Sequence, residues 1–197
     1  MMHTARSWLQ LALLFCASAY AGPSADLLAT GTLLVATGNL RGSSFEKTVI
    51  LITQHDRQGT LGIAINRPAH QHLREFFPKF NAKAGNLPLF LGGPVHPLAL
   101  FVLTRTKARE GWIPVLTDVY FTGGAAAHRF LQQSQIDLRE SQLRVFAGYT
   151  GWAAGQLESE IQRGDWLTAS VDPGTIFSTK PEQTWERLYR LHSGKWI

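Results

Sequence analysis

The stretch FAGYTGWAAGQLESE, residues 146–160, changes its periodicity half-way along. Leu143 to Tyr149 is a mostly apolar run of strand length. From Gln156 onward, Leu157 and Ile161 recur at i, i+4, which is one face of a helix. Between the two, Gly148, Gly151 and Gly155 permit sharp turns and close backbone approach. The stretch therefore predicts a strand, a glycine-rich loop from Gly148 to Gln156 that feeds a helix, and a helix over 156–163.

Working outward, the same reading repeats. Leu33 to Ala36, Thr48 to Thr53 and Leu61 to Ile65 read as strands, the last two joined as a hairpin through a loop over Gln54–Gly59. Leu73, Phe76 and Phe77 mark a short amphipathic helix ended by Pro78. Leu89–Leu91, Leu100–Leu103 and Val119–Thr122 are further strands. A helix after Gly123-Gly124 places Ala127, Phe130 and Leu131 on one face. The last element carries Thr179 and Glu182 at capping-box spacing, with Pro181 in its first turn, and a stripe of Trp185, Leu188, Tyr189 and His192. Strands outnumber helices, and strict βαβ alternation is absent. The class is α+β, with a mainly antiparallel sheet in a single compact domain.

The first residues are read as a removable export signal. His3 and Arg6 precede an apolar run from Trp8 to Ala19, and Ala19-Tyr20-Ala21 supplies the small-x-small cleavage pattern. The run is shorter than the roughly 20 residues a spanning helix needs, so no stable membrane anchor is expected after cleavage. The expected boundary lies between Ala21 and Gly22, giving a signal over 1–21 and a domain over 22–197 in the periplasm or outside the cell. The alternative is a cytoplasmic chain that starts near Leu27. Cys16 is the only cysteine and falls within the signal, so the remaining chain has no disulfide and no thiol chemistry.

Charge argues against nucleic acid as the partner. The formal net charge is +5 over 197 residues. The only basic cluster, Arg105, Lys107 and Arg109, lacks interleaved aromatics. Specific DNA binding is therefore expected to be absent.

Three glycine-rich groups stand out: GIAINRP at 62–68, FLGGPV at 90–95, and GYTGWAAGQLE at 148–158. Together with Gly31-Thr32-Leu33-Leu34-Val35-Ala36 and the strand Phe45 to Ile52, they resemble the AlgH/YqgE family. That family shares a G-x-LL-x-A segment, an F-x-x-[ST]-V-x-x-I strand, a strand ending in N-[RK]-P, the F-x-GGPV turn and FxGYxGWxxGQLExE. The likeness runs from about Leu27 to Trp166. It implies a compact α+β domain with a curved, mostly antiparallel sheet and peripheral helices. It also implies a role as a transcriptional regulator linked to alginate synthesis, although no molecular activity is established for the family. This chain departs from the pattern after GGPV, where family members place polar or acidic residues and end the next strand in histidine. Here the residues are His96-Pro97-Leu98-Ala99 and then Leu103-Thr104-Arg105, so a role for that histidine does not carry over. Family members also usually begin near this chain's Leu27.

No reaction is specified by the sequence. There is no G-x-S-x-G elbow. The Gly148–Gln156 segment lacks the lysine of a P-loop and the spacing of a dinucleotide fingerprint, so no cofactor is expected. His70 and His72 have no evident third metal ligand, and His55-Asp56 reads as turn chemistry. Glu158 and Glu160, two apart on a helix, diverge. The expectation is a non-enzymatic accessory or regulatory protein with a protein partner. A cytoplasmic transcriptional regulator is the alternative and an undiscovered enzyme the second alternative. The candidate interaction surface comprises Asn66, Arg67, Tyr149, Trp152 and Gln156.

Overall fold

A computed structural model of the chain describes residues 28–80, 82–105, 109–133 and 142–194; the expected signal and its Ala21–Gly22 boundary lie outside them. The β-branched and leucine-rich runs form the strands in which they were expected: β1 (Leu33–Ala36), β2 (Val49–Asp56) and β3 (Gly59–Ala64). All four residues of β1 and the first five of β2 are buried, because both faces of these strands are covered. The hairpin loop is shorter than expected. Pairing continues to Asp56 opposite Gly59, which leaves Arg57-Gln58 as a two-residue turn. The slack is taken up by a bulge at Thr53, where the register shifts between Ile52 and Gln54.

The other strands are β4 (Pro68–His72), β5 (Pro88–Leu91), β6 (Val95–Thr104), β7 (Ile113–Leu116), β8 (Val119–Gly123), β9 (Leu143–Ala153) and β10 (Trp166–Ala169). The main path of the sheet runs β10-β1-β2-β3-β9-β6-β8-β7. Off it, β4 pairs with β5, and β5 lies parallel to β9. Every other described pairing is antiparallel. Among the described residues six short helices surround the sheet: α1 (Leu73–Phe76), α2 (Ala82–Gly85), α3 (Gly124–Leu131), α4 (Gln156–Gln162), α5 (Pro173–Ile176) and α6 (Thr184–Ser193). This is the expected α+β architecture of a curved, mainly antiparallel sheet with peripheral helices. No described helix is long and apolar enough to cross a membrane.

Among the described residues three apolar clusters make the core. One face of the sheet carries Leu33, Val35, Leu51, Ile63 and Phe146, covered by Leu188 of α6. The opposite face of the β5–β9–β6 half is covered by α3 through Ala127, Phe130 and Leu131, the stripe read from the sequence. The third cluster packs Trp152 and Trp166 under α4 through Leu157. The curvature brings one end of the path round to the other. A Cβ on Gly31, just before β1, would stand 2.6 Å from the Val115 carbonyl oxygen on β7.

Several expectations are corrected. The glycine-rich loop of 148–156 is strand as far as Ala153, with only Ala154-Gly155 turning into α4. Cross-strand partners on β3 and β6 keep the segment paired in the sheet despite its glycines. The capping box at Thr179 is not formed. A 3-10 turn over Pro181–Gln183 follows Lys180, and α6 starts at Thr184. Of its expected stripe Leu188 is buried, Trp185 and Tyr189 are half-buried, and His192 is exposed. Phe76 on α1 faces outward, because a single helical turn buries only Leu73. The segment holding His70 and His72 is strand β4, with His70 at φ 57°. His72 donates its backbone N–H to Glu75 at 2.8 Å.

Candidate functional site

Gly148 sits where β9 changes neighbours. On one side of β9, residues 145–147 pair with β5 and residues 150–153 pair with β3. Gly92 bridges the junction, since its N–H donates to the Ala147 carbonyl and its carbonyl accepts the Ala64 N–H, both at 2.8 Å. Nearby, the Leu91 N–H donates to the Arg67 carbonyl at 2.8 Å. The three glycine-rich groups, distant in sequence, thus meet backbone to backbone. A Cβ on Gly148 would lie 2.3 Å from the Gly93 carbonyl oxygen, and one on Gly92 would lie 2.3 Å from the Gly148 carbonyl oxygen. Gly148 also has φ +72°, a conformation L side chains rarely adopt.

Around this junction the candidate residues divide. Asn66 is buried; its Oδ1 accepts the Val49 N–H at 2.8 Å and its Nδ2 donates to the Lys47 carbonyl at 2.9 Å. Trp152 is 6% exposed and donates its indole N–H to Glu160 at 2.9 Å. The same Glu160 oxygen accepts the Trp166 indole at 2.9 Å, and the two rings meet edge to face. Gln156 is exposed, but its side chain accepts the Ala153 N–H at 3.1 Å and donates to Glu160 at 3.0 Å. Arg67 is half-buried, and burial pushes its guanidinium pKa down. It donates to the Glu46 carbonyl at 3.1 Å. These four are bonded inside the fold.

Tyr149 differs from them. Its ring is half-buried, stacks on His96 at 6.0 Å between centroids and meets Phe101 edge to face at 5.7 Å. His96 opens a bulge in β6, whose register jumps from Val95 opposite Tyr149 to Leu100 opposite Ala147. Residues 96–99 are extruded there, His96 takes φ 45°, and Leu98 is 71% exposed. Sequence reading did not place this knuckle in the site. Its signal was present, because Pro97 in a strand marks a bulge or an edge.

A sequence profile of AlgH-like proteins matches residues 33–197. The chain belongs to the AlgH-like family. It is 36% identical over 170 residues to a UPF0301 protein of Chlorobium luteolum, covering 86% of this chain and 88% of that one. It is 34% identical over 174 residues to a UPF0301 protein of Mycobacteroides abscessus, covering 87% and 83%. The solution structure of AlgH from Pseudomonas aeruginosa superposes with TM-score 0.70 at 24% identity, over 89% of this chain and 94% of that chain. A crystal structure of a Corynebacterium diphtheriae protein does so with TM-score 0.63 at 23% identity, over 84% and 87%. Both likenesses establish the AlgH-like fold.

The titratable groups of this AlgH-like chain are dispersed. No group of three or more His, Asp or Glu that could hold a metal occurs among the described residues. His55 Nδ1 lies 2.8 Å from the hydroxyl of the buried Thr60, across the β2–β3 ladder. Asp56 is held below the usual carboxylate range, chiefly by a hydrogen bond from the Gln54 side chain and by the Gln58 N–H. These bonds close the turn. In the expected basic cluster, Arg105 pairs with Asp118 at 2.5 Å, and Arg109 donates to Gln133 and lies 5.0 Å over the Phe130 ring. Lys107 lies outside the described residues.

Proposed function

We propose that this AlgH-like protein is a non-enzymatic accessory or regulatory protein that binds a partner protein through the His96–Ala99 knuckle and the ring of Tyr149. The observation that carries the reading is the backbone of His96. A non-glycine residue in the left-handed region costs about 1–3 kcal/mol and persists where the surroundings over-determine it, which happens disproportionately at binding sites. Here the strained turn holds up an exposed leucine beside a half-exposed aromatic ring. Tyrosine is among the residue types enriched in interface hot spots, and the half-exposed ring of Tyr149 stacks on His96 of this turn.

A photo-crosslinking residue at position 98 tests the proposal in cells. It should trap a defined partner. Leu98→Asp and Tyr149→Ala should each lose that partner while the melting temperature stays within a few degrees of wild type. Leu191→Asp, at another exposed leucine, should keep it. A trapped partner indifferent to both knuckle variants would overturn the reading.

The order of charge, apolar run and Ala19-Tyr20-Ala21 supports action in the periplasm, with Gly22 as the mature N-terminus. N-terminal sequencing of the native protein checks this. A cytoplasmic protein that keeps earlier residues, or begins near Leu27, would reopen the regulator alternative. That alternative has little support otherwise, because Arg105 and Arg109 are already engaged locally.

A further inference from the structure

The end of the β2–β3 hairpin and the adjoining part of β9 form an open cleft of about 450 Å³, whose lining includes Gln54, Asp56, Gln58, Leu61, Tyr149 and Gly151. The ladder places its strand residues on one face of the sheet. Gln54 pairs with Leu61 and Leu61 with Gly151, while Asp56 and Tyr149 lie two residues along from Gln54 and Gly151. Tyr149 and Asp56 therefore stand at opposite corners, with Leu61 and Gly151 between them as the floor. The Tyr149 corner adjoins the His96 knuckle. His55, Arg57 and Glu158 line a different cleft.

The backbone does not demand glycine at 151. It has no positive φ there, and a Cβ would meet first a Tyr149 ring atom, at 3.3 Å. What glycine leaves is a stretch of open floor that a side chain would fill. Asp56 is fixed at the far corner. Its Oδ2 accepts the Gln54 side-chain N–H at 2.9 Å and its Oδ1 accepts the Gln58 N–H at 2.8 Å, bonds that also keep it ionised. A carboxylate has about four acceptor sites, so capacity remains on this exposed group. A guanidinium fork matches it, because two parallel N–H groups reach both oxygens at once, whereas a lysine ammonium is a point charge. Asp56 is the charged residue of the lining, on a chain of formal net charge +5, so the cleft selects for a cation. The aliphatic stem of an arginine suits the floor of Leu61 and Gly151.

We infer that this cleft receives an arginine side chain of the protein partner that docks on the knuckle, with its guanidinium on Asp56 and its stem over Gly151. That the arginine belongs to this partner rests on the knuckle reading; the preference of the cleft for arginine does not.

N-acetyl-arginine methylamide, titrated into the full chain and followed by amide resonances, is the probe. It should shift residues 54–61 and 149–152 saturably, and less as salt is added. The citrulline analogue keeps the shape and loses the charge. It should bind about tenfold more weakly, the loss expected of hydrogen bonds to a charged group. The arginine probe should weaken as much on Asp56→Asn, since asparagine suits the same turn. Gly151→Val should lose the probe at nearly unchanged stability. In cells, Asp56→Asn should lower the yield of the partner trapped at position 98. No saturable shift, shifts away from the hairpin, equal binding of citrulline, or indifference to both variants would each overturn the arginine site. Undiminished trapping by Asp56→Asn would overturn its part in docking and leave the knuckle standing. With no partner trapped at position 98 the knuckle reading falls, and the arginine with it as a docking contact, while the probe still decides the chemistry of the cleft.

Discussion

Replacing Gly148 with valine is expected to cost about 3–6 kcal/mol of stability, enough to leave much of the protein unfolded at 25 °C. Two effects add. The backbone at φ +72° resists a β-branched residue. The new Cβ would also stand 2.3 Å from the Gly93 carbonyl oxygen, an atom of backbone that cannot rotate away. Moving Gly93 would disturb Gly92, whose two hydrogen bonds tie β9 to β3. Gly151 is the internal comparison. It is exposed, has no positive φ, and a Cβ there would meet first a Tyr149 ring atom at 3.3 Å. Valine also suits a strand, so Gly151→Val should change stability by less than about 1 kcal/mol. Urea denaturation followed by circular dichroism measures both variants. Equal losses would refute the assignment of Gly148 as the pivot of the sheet.

Trp152→Ala should cost about 3–5 kcal/mol, as large-to-small replacements of buried aromatics do. The indole fills the space between β9 and α4 and touches Trp166 edge to face, with 6.1 Å between ring centroids. Its loss opens a cavity and removes one of the two indole donors that share a Glu160 oxygen. Trp152→Phe keeps much of the packing and should recover a good part of the stability. Glu160→Ala leaves both indole N–H groups without that acceptor, at about 1–3 kcal/mol for each that stays buried. A double-mutant cycle between Trp152 and Glu160 should therefore show a coupling of about 0.5–3 kcal/mol. Chemical denaturation of the four proteins gives that number. The folded fraction of each should still capture the partner trapped at position 98. A Trp152 variant of unchanged stability that lost the partner would move the binding surface from the knuckle to the indole.

If the knuckle is the binding surface, its sequence would choose among partners on a shared scaffold. Swapping His96–Ala99 for the corresponding residues of a relative, with Tyr149 retained, would separate the choice of partner from the fold.

Sequence alone determined the elements whose cause is local. The stripe of Ala127, Phe130 and Leu131 follows from a period of 3.6, and β1 from four consecutive apolar residues. Strand-rich composition without βαβ alternation set the class. The expected loop at 148–156 failed because glycine content reports backbone freedom, whereas cross-strand partners on β3 and β6 decide whether that freedom is used. β10 was missed for a related reason, since Trp166-Leu167-Thr168-Ala169 is not the unbroken apolar run that β1 is, and the strand is defined by its ladder with β1. Only the tertiary structure decided that Asn66 is an internal bracket and that Tyr149 keeps an open face. Each depends on contacts between residues far apart along the chain, such as Gly93 with Gly148. Local periodicity carries no record of such distances.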